Sequence, residues 1–351
     1  MVQNGTRRRR WHGVQVVPTG QTGKSRRHSI RDGDGNVQAG WHGSRQPGTD
    51  SRKGRTMRRW FAALALASAA AIALSGCVRQ GATDGDLTDD WPALRVPTMF
   101  VPATDACLPR VTAIVQASTY ETVDCARNHL AEAVHVGAFT GRAANGPRPE
   151  PGSAALRTAR AECDQRARLV LGGDWHVARL TLNIALPSVS AWNGGARWFR
   201  CDLSETDSID NTRPVNRTGS LRGALIGDSP LVHRCFDPKL IGNSLNYMAP
   251  VLCTEPHGAE FVGVYTEQDM TWEEFTNSAG QAHRRCMSLI AEYADVPNNS
   301  DLPYRAGSIF YPPSQREWEE GDRGVRCLLW SDDRKLTGSM RGVGPQGLPV
   351  T

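Results

Sequence analysis

The stretch CTEPHGAEFVGVY, from Cys253 to Tyr265, decides the fold because an earlier stretch repeats its pattern. In CARNHLAEAVHVGAF, from Cys125 to Phe139, a cysteine is again followed by a histidine four residues on and a glutamate three residues further. Both stretches end in alternating apolar residues, which is the pattern of a β-strand with one buried face. This alternation predicts that Val134 and Val136 share one face of a strand.

The repetition extends well beyond these two stretches. PSVSAWNGGARWFRC at residues 187–201 matches PSQREWEEGDRGVRC at 313–327, and TGSLRG at 218–223 matches TGSMRG at 337–342. Agreement in this order predicts a duplicated unit of about 120 residues, which is large enough for a modest core when it is cross-linked.

Each predicted copy contains one helix between its strands. Leu156, Ala159, Cys163 and Ala167 recur at helical spacing before Gly172, a residue that commonly ends helices. In the second copy, Thr271 and Glu274 have the spacing of a capping box. We therefore predict an α+β fold made of two tandem homologous units, each an antiparallel sheet with one packed helix, stapled by disulfides.

An export signal is predicted at residues 57–77. A basic start and a short apolar run lead into Leu74-Ser75-Gly76-Cys77, which resembles a bacterial lipobox. Lipid attachment at Cys77 would hold the protein to the cell membrane on its extracytoplasmic face. The predicted organisation is a disordered or mis-assigned extension at 1–56, the signal at 57–77, a flexible tether at 78–102, and the two copies at 103–225 and 226–345.

The distribution of charge argues against a nucleic-acid partner. Residues 1–59 hold 14 Lys or Arg and only three Asp, and the rest of the chain is net acidic. This basic region is rich in Gly, Ser and Gln, so it cannot bury a core. The excess of Arg over Lys in the whole chain suggests a GC-rich genome, such as that of an actinobacterium.

The remaining cysteines are predicted to form disulfides. Eight cysteines are left after Cys77, an even number that suits an oxidising compartment. The four in each copy allow three pairings. We favour the pairings that close a short loop and join the helix to the sheet, which are Cys107 with Cys125, Cys163 with Cys201, Cys235 with Cys253, and Cys286 with Cys327.

Candidate contact residues recur in both copies, namely His129 with Glu132 and His257 with Glu260. A metal site is disfavoured because neither CxxC nor HExxH occurs. In the structural interpretation, the histidine follows a turn and the glutamate caps or pairs locally where the strand begins. Contact with a ligand or partner is the alternative that we keep.

Trp192 and Trp318 each precede a cysteine by nine residues, and this fixed offset favours core positions. Contact with a ligand or partner stays open for both side chains. We expect the acidic residues around Trp318, from Glu317 to Asp322, to form a solvated loop. Arg200 and Arg326 are expected on the outer face of a strand.

These motifs, together with the W-x2-G-x-R-x2-R-C ending, resemble those of actinobacterial lipoproteins of the septum-formation family over about residues 100–330. The first copy departs from the pattern by having Asn128 where the second has Pro256. The resemblance implies an envelope protein associated with division or septum assembly, and it assigns no reaction.

We therefore expect a non-enzymatic binding or scaffold module of the cell envelope that needs no metal or other cofactor. Its expected partners are the membrane, through the lipid anchor, and cell-envelope or division proteins or cell-wall material. One alternative is an envelope hydrolase or metal-assisted enzyme, which would need the two His and two Glu to converge in one cleft. Another is a ligand receptor with a cleft between the copies lined by Trp and Arg.

Overall fold

A computed structural model describes residues 14–15, 99–241, 244–331 and 334–350. The strands are β1 (Val14–Gln15), β2 (Ala106–Leu108), β3 (Ile114–Val115), β4 (Ala131–Ala138), β5 (Leu180–Pro187), β6 (Trp198–Glu205), β7 (Cys235–Ile241), β8 (Ser244–Val251), β9 (Ala259–Thr266), β10 (Gly307–Tyr311) and β11 (Gly324–Trp330). The α-helices are α1 (Gly141–Asn145), α2 (Ala154–Leu171), α3 (Val189–Asn193), α4 (Trp272–Asn277), α5 (Ala279–Ala294), α6 (Gln315–Glu319) and α7 (Gly344–Gly347). We call residues 99–225 the first half and residues 226–350 the second half.

The described strands form two sheets, one from the first half and one from the second half together with β1, so the predicted α+β class is confirmed. The first sheet has the order β2-β4-β6-β5-β3, and the second has the order β1-β10-β11-β9-β7-β8. Four neighbouring strands of the first sheet, β2-β4-β6-β5, pair antiparallel, as do the matching strands β7-β9-β11-β10 of the second, where β8 adds a further antiparallel pairing. The short strands β3 and β1 add parallel pairings at one edge of each sheet.

The long helices α2 and α5 pack on the sheets through the predicted apolar stripes. In α2, Leu156, Cys163 and Ala167 are buried, Ser153 caps the start, and Gly172 ends the helix in the left-handed conformation. The capping box of Thr271 and Glu274 is present at the start of α4. Short helices accompany α2 and α5 in both halves, so the expectation of one helix in each copy was too simple.

A β-bulge corrects the predicted strand faces. Between β4 and β6 the register shifts at Val134, and between β9 and β11 it shifts at Val262. A bulge inserts one extra residue and turns the following side chains to the other face. Val134 therefore packs on the helix side of its sheet, whereas Val136 packs on the opposite side near Trp198.

Four disulfides are present in the described part of the chain, with the favoured pairings. They join Cys107 to Cys125, Cys163 to Cys201, Cys235 to Cys253, and Cys286 to Cys327. The second and fourth bonds connect α2 to β6 and α5 to β11 within the buried core. Each half is thus cross-linked between its long helix and a central strand.

Several predictions concern residues outside the described part of the chain. These are the extension at 1–56 apart from Val14 and Gln15, the signal at 57–77 with Cys77, and residues 78–98 of the tether. Within the described part, every helix is too short or too polar to cross a bilayer.

Candidate functional site

In the second half, His257 and Glu260, which recur as His129 and Glu132 in the first half, build a buried polar cluster. His257 Nε2 lies 2.9 Å from Glu260 Oε1, and both side chains are fully buried. The Tyr293 hydroxyl donates to Glu260 Oε2 at 2.8 Å, and the backbone N–H of Met340 donates to the same carboxylate at 2.9 Å. The carboxylate of Glu260, at the start of β9, therefore holds the TGSMRG loop at residues 337–342 against the sheet.

In the first half, Glu132 holds the matching TGSLRG loop. The Ser220 hydroxyl donates to Glu132 Oε1 at 2.8 Å, and the backbone N–H of Leu221 donates to Oε2 at 2.6 Å. The backbone of His129 pairs with that of Arg217 just before this loop, as His257 pairs with Leu336 in the second half. His129 differs from His257 in that its buried Nε2 has no hydrogen-bond partner among the described residues.

The pair of Glu260 with His257 is the local pairing that the sequence predicted, but both glutamates also bind a distant loop. Glu132 accepts from Ser220, 88 residues further along the chain, and Glu260 accepts from Met340, 80 residues further along. Each closes its half by fixing a loop near the end of the unit to the start of β4 or β9. Their burial means that, as positioned, neither these glutamates nor the two histidines are presented to solvent.

The ligand atoms of the two clusters are close enough to hold a metal ion in principle. Those of Cys107, His129 and Glu132 lie within 4.8 Å of one another, as do those of Cys235, His257 and Glu260. Each sulfur is bonded to a second cysteine, however, whereas the form of cysteine that binds metals is the free thiolate. The two His–Glu pairs also occupy separate sheets, rather than the single cleft that a shared catalytic site requires.

Trp192 and Trp318 are core residues, as their spacing predicted. Both indoles are buried, and each donates from Nε1 to a backbone carbonyl, at 3.2 Å for Trp192 and 2.8 Å for Trp318. Arg197 lies over the first indole at 4.3 Å and Arg323 over the second at 4.5 Å. This cation–π packing leaves little of either ring available to a partner.

A buried ionic network joins the two halves. Asp322 of the second half accepts from Arg160 of α2 at 2.7 Å and lies 3.0 Å from His176 Nε2. The other ring nitrogen of His176 lies 2.7 Å from Asp174, and the ring stacks on Trp175 at 3.6 Å. Three charged side chains and one imidazole are therefore held together across the contact between the halves.

The electrostatics of this network stabilise its charged forms. Burial alone would raise the pKa of Asp322, but the charges of His176 and Arg160 hold it well below the usual range for a carboxyl. Burial lowers the pKa of His176, but Asp322 and Asp174 outweigh this effect and raise it above the ordinary value. The imidazolium is thus favoured between two carboxylates.

Two expectations about charged residues were wrong. The acidic stretch after Trp318 is not a solvated loop, because Glu320 and Asp322 are buried and Glu317 closes a capping box with Ser314. Arg200 is also buried, where it forms a bidentate pair with Asp202 at 2.6 Å for both bonds. The sequence did contain one sign that Asp322 has a special role. The aligned residue of the first copy is Ala196, so this acidic residue is not part of the repeated pattern.

Arg326 occupies the position of Arg200 but serves the contact between the halves. Its Nε donates to the carbonyl of His176 at 2.8 Å. The residue two positions after Arg326 is Leu328, whereas the residue two positions after Arg200 is Asp202, so the internal partner is missing in the second half. The expected outer-face position of Arg326 is therefore corrected as well.

A pocket of about 700 Å³ lies between the halves. Arg157 of α2 lines one side, and the second half contributes Trp272, Arg323 and an edge of Trp318. Four carboxylates also line it, those of Asp269, Glu273, Glu274 and Glu319. The pocket thus combines an aromatic wall with an excess of acidic groups.

Comparison with known proteins identifies one family. The comparisons with curated proteins and with solved structures give no match. A family model described as "Septum formation" matches residues 105–327, which include all eight cysteines of the four disulfides. Because this match covers more than half of the sequence, the chain belongs to the septum formation family.

Proposed function

We propose that the protein is a lipid-anchored, non-catalytic scaffold or binding module on the extracytoplasmic face of the cell membrane, acting in septum formation. The observation that carries the proposal is the family match over residues 105–327. The lipobox-like Leu74-Ser75-Gly76-Cys77 supports the anchor, because acylation of Cys77 places the following chain outside the membrane. The four disulfides support the same placement, since such bonds persist in oxidising compartments.

The arrangement of the recurring polar residues supports a structural assignment. Glu132 and Glu260 hold loops, and the two tryptophans fill the cores. Side chains committed to packing and hydrogen bonding contribute to stability and shape. The surface of the two halves is therefore the part of the protein that we assign to partners of the envelope, such as division proteins or cell-wall material.

We further propose that the halves arose by duplication of one unit. Three independent features support this origin, which are the shared order of four antiparallel strands, the matching disulfides and the bulges at Val134 and Val262. A bulge depends on local backbone geometry and is commonly kept within families. Its recurrence at equivalent positions is expected of copies and is not required by the fold class.

The anchor and the septal role predict a specific localisation. A C-terminally tagged protein should form a band at the septum and sediment with membranes. A Cys77→Ala variant should be secreted or released, because it offers no thiol for the acyl group. Fluorescence microscopy and fractionation of the native host measure both results. Val78→Ala is the matched control, and it should stay at the membrane.

Deletion of the gene provides the second arm of this experiment. Misplaced or delayed septa are the expected phenotype, with rescue by the wild-type gene. Normal septum placement combined with diffuse fluorescence would remove the septal role. Retention of the Cys77→Ala variant at the membrane would instead contradict the lipid anchor.

The pocket between the halves favours one alternative, a receptor for a cationic ligand. Trp272 offers an aromatic face, and the lining carboxylates outnumber the two arginines. An ammonium group gains from contact with an indole face and with carboxylates. Cell-wall peptides that carry a free amine have this chemistry, so the receptor would bind a component of the envelope.

Calorimetric titration with soluble, amine-bearing peptidoglycan fragments at low salt tests the receptor. The wild-type protein should bind, and Trp272→Ala should weaken binding about tenfold or more. Asn128→Ala lies in a different pocket and is the control. Equal binding by wild type and Trp272→Ala, or no binding by wild type, would dismiss this alternative.

A further inference from the structure

A second pocket, of about 550 Å³, lies at one end of β5 and β6. Its lining includes Arg179, which immediately precedes β5, Glu205, the last residue of β6, and the segments 216–218 and 229–231. Pockets that hold small ligands usually measure about 300 to 1,000 Å³. The size of this pocket therefore suits a ligand such as a single sugar unit.

The carboxylate of Glu205 lies between two guanidinium groups of this pocket. Arg179 Nη2 lies 3.2 Å from Glu205 Oε1, and Arg217 Nη1 donates to Oε2 at 3.2 Å. The side chains of Glu205 and Arg217 are only 16% and 13% exposed. Two positive groups thus face one negative group, which leaves one positive charge unbalanced in the lining.

Neighbouring acidic residues do not cancel this charge. Asp207 follows Glu205 closely in the sequence, and Asp228 precedes the segment 229–231. Asp207 pairs with Arg213, and Asp228 pairs with Arg234. Each of these carboxylates is therefore balanced by an arginine of its own.

Both guanidinium groups keep N–H donors for a ligand. Arg217 donates to the carbonyls of Gly219 and Ser220 as well as to Glu205, and Arg179 donates to the carbonyl of Thr206. An arginine has five N–H donors, so these contacts leave part of each set unused. Free donors on a positively charged group suit the oxygens of an anion.

The second half shows that the fold does not require this charged arrangement. The residues that correspond to Glu205 and Arg217 are Ser331 and Leu336, and the second match is also structural, because His129 bridges to Arg217 as His257 bridges to Leu336. Leu336 is buried in an apolar cluster. The charged groups of the first half therefore favour a function that the second half lacks.

We propose that this pocket binds an acidic sugar, that is, a sugar unit that carries a carboxylate or a phosphate group. The anionic group would accept hydrogen bonds from Arg179 and Arg217. Asn216 and Thr218 also line the pocket, and their side chains make no hydrogen bond within the described part of the chain, so they are free to bind the hydroxyl groups. The proposal rests on the proposed extracytoplasmic position for access to envelope glycans.

Calorimetric titration with three related sugars tests this assignment. The protein is the mature chain from residue 77 carrying Cys77→Ser, and the ligands are glucuronate, glucose 1-phosphate and glucose at low salt. At least one of the two acidic sugars should bind about tenfold more tightly than glucose, because only these sugars offer an anion to the arginines. The preference between carboxylate and phosphate identifies the group that the pocket selects.

Variants of the lining locate the binding. Arg217→Leu introduces the residue of the second half and should weaken binding of the acidic sugar about tenfold or more. Asn216→Ala with Thr218→Ala removes side chains that make no hydrogen bond to the described chain, so it should fold normally and also bind more weakly. Arg157→Leu removes the same charge from the pocket between the halves and should bind like the wild type.

Three results would overturn the proposal. These are no binding of either acidic sugar, equally tight binding of glucose, or unchanged affinity in both the Arg217 variant and the Asn216/Thr218 variant. Because the titration uses purified protein without an acyl group, these results leave the anchor and the septal role untouched. Conversely, a failed localisation experiment would leave the titration standing.

Discussion

An Asp322→Asn variant should lose about 3 to 5 kcal/mol of stability, because the substitution removes the buried carboxylate that pairs with both Arg160 and His176. Asparagine has nearly the same shape, so the loss reports on charge rather than on packing. Urea unfolding of the disulfide-bonded protein measures the change. Because Asp322 links the two halves, the halves of the variant should also unfold in separate transitions, rather than in one.

Asp269→Asn is the matched control for this variant. Asp269 also pairs with an arginine of the second half, Arg323, but its side chain is 91% exposed. Exposed ion pairs contribute little to stability, so this variant should unfold close to the wild type. If Asp322→Asn were equally stable, the buried network would not hold the halves together.

The network also predicts how stability depends on pH. The folded pKa of His176 is raised, so its contribution is fully present below its unfolded value and is lost as pH rises through the folded value. Burial alone would raise the pKa of Asp174, but His176 and Arg168 lower this pKa to about 2. Its contribution is therefore present above the ordinary carboxyl range and is lost as pH falls towards 2. Unfolding of wild type from pH 5 to 9 should show an alkaline loss of stability that Asp322→Asn reduces.

Removing a bond between helix and sheet should have a similarly large effect. Cys163→Ala with Cys201→Ala opens a link across 38 residues, and Cys286→Ala with Cys327→Ala opens one across 41 residues. Each bond stabilises the folded state by about 4 kcal/mol, because a cross-link over a loop of this length restricts the unfolded chain. Urea unfolding of each double variant should show a loss of this order. The empty space left in a buried core adds to it.

Opening a short loop provides the comparison. Cys107→Ala with Cys125→Ala releases a link across only 18 residues, and we expect a loss of about 3 kcal/mol. Cys77→Ala should not change the unfolding of the folded region. Unfolding that is the same with and without reductant for all variants would contradict a stabilising role of the disulfides.

Local sequence patterns predicted much of the fold. Helical spacing placed Cys163 and Cys286 on the inner faces of the two long helices, and their partners followed from the strands that carry Cys201 and Cys327. These inferences succeed because periodicity reports directly which side chains are buried. The α+β class follows from the same information.

Features that depend on distant pairing were not predictable in this way. The alternation around Val134 gave the wrong face for Val136, because a bulge is set by pairing with another strand. Asp322 looked like part of a solvated acidic stretch, because its partners lie more than 140 residues away. The recurrence of TGSLRG and TGSMRG was visible, but the glutamates that bind these loops emerge only from the fold.

The difference between the two disulfide loops has the same kind of origin. Residues 107–125 and 235–253 have equal spacing of cysteines, yet one loop pairs with its own sheet and the other extends as a hairpin. Neither choice follows from the cysteine spacing, because both conformations satisfy the same cross-link. Packing decides between them, through Val115 in the first half and through Met248 in the second.

Non-reducing mass spectrometry of the protein isolated from native envelopes tests the central claim most directly, namely that an exported, lipid-anchored protein carries two internally cross-linked halves. We predict a diacylglyceryl group on Cys77 and four linked peptide pairs, 107 with 125, 163 with 201, 235 with 253, and 286 with 327. An unmodified Cys77, free thiols at several of the other eight cysteines, or a disulfide that joins the two halves would contradict it.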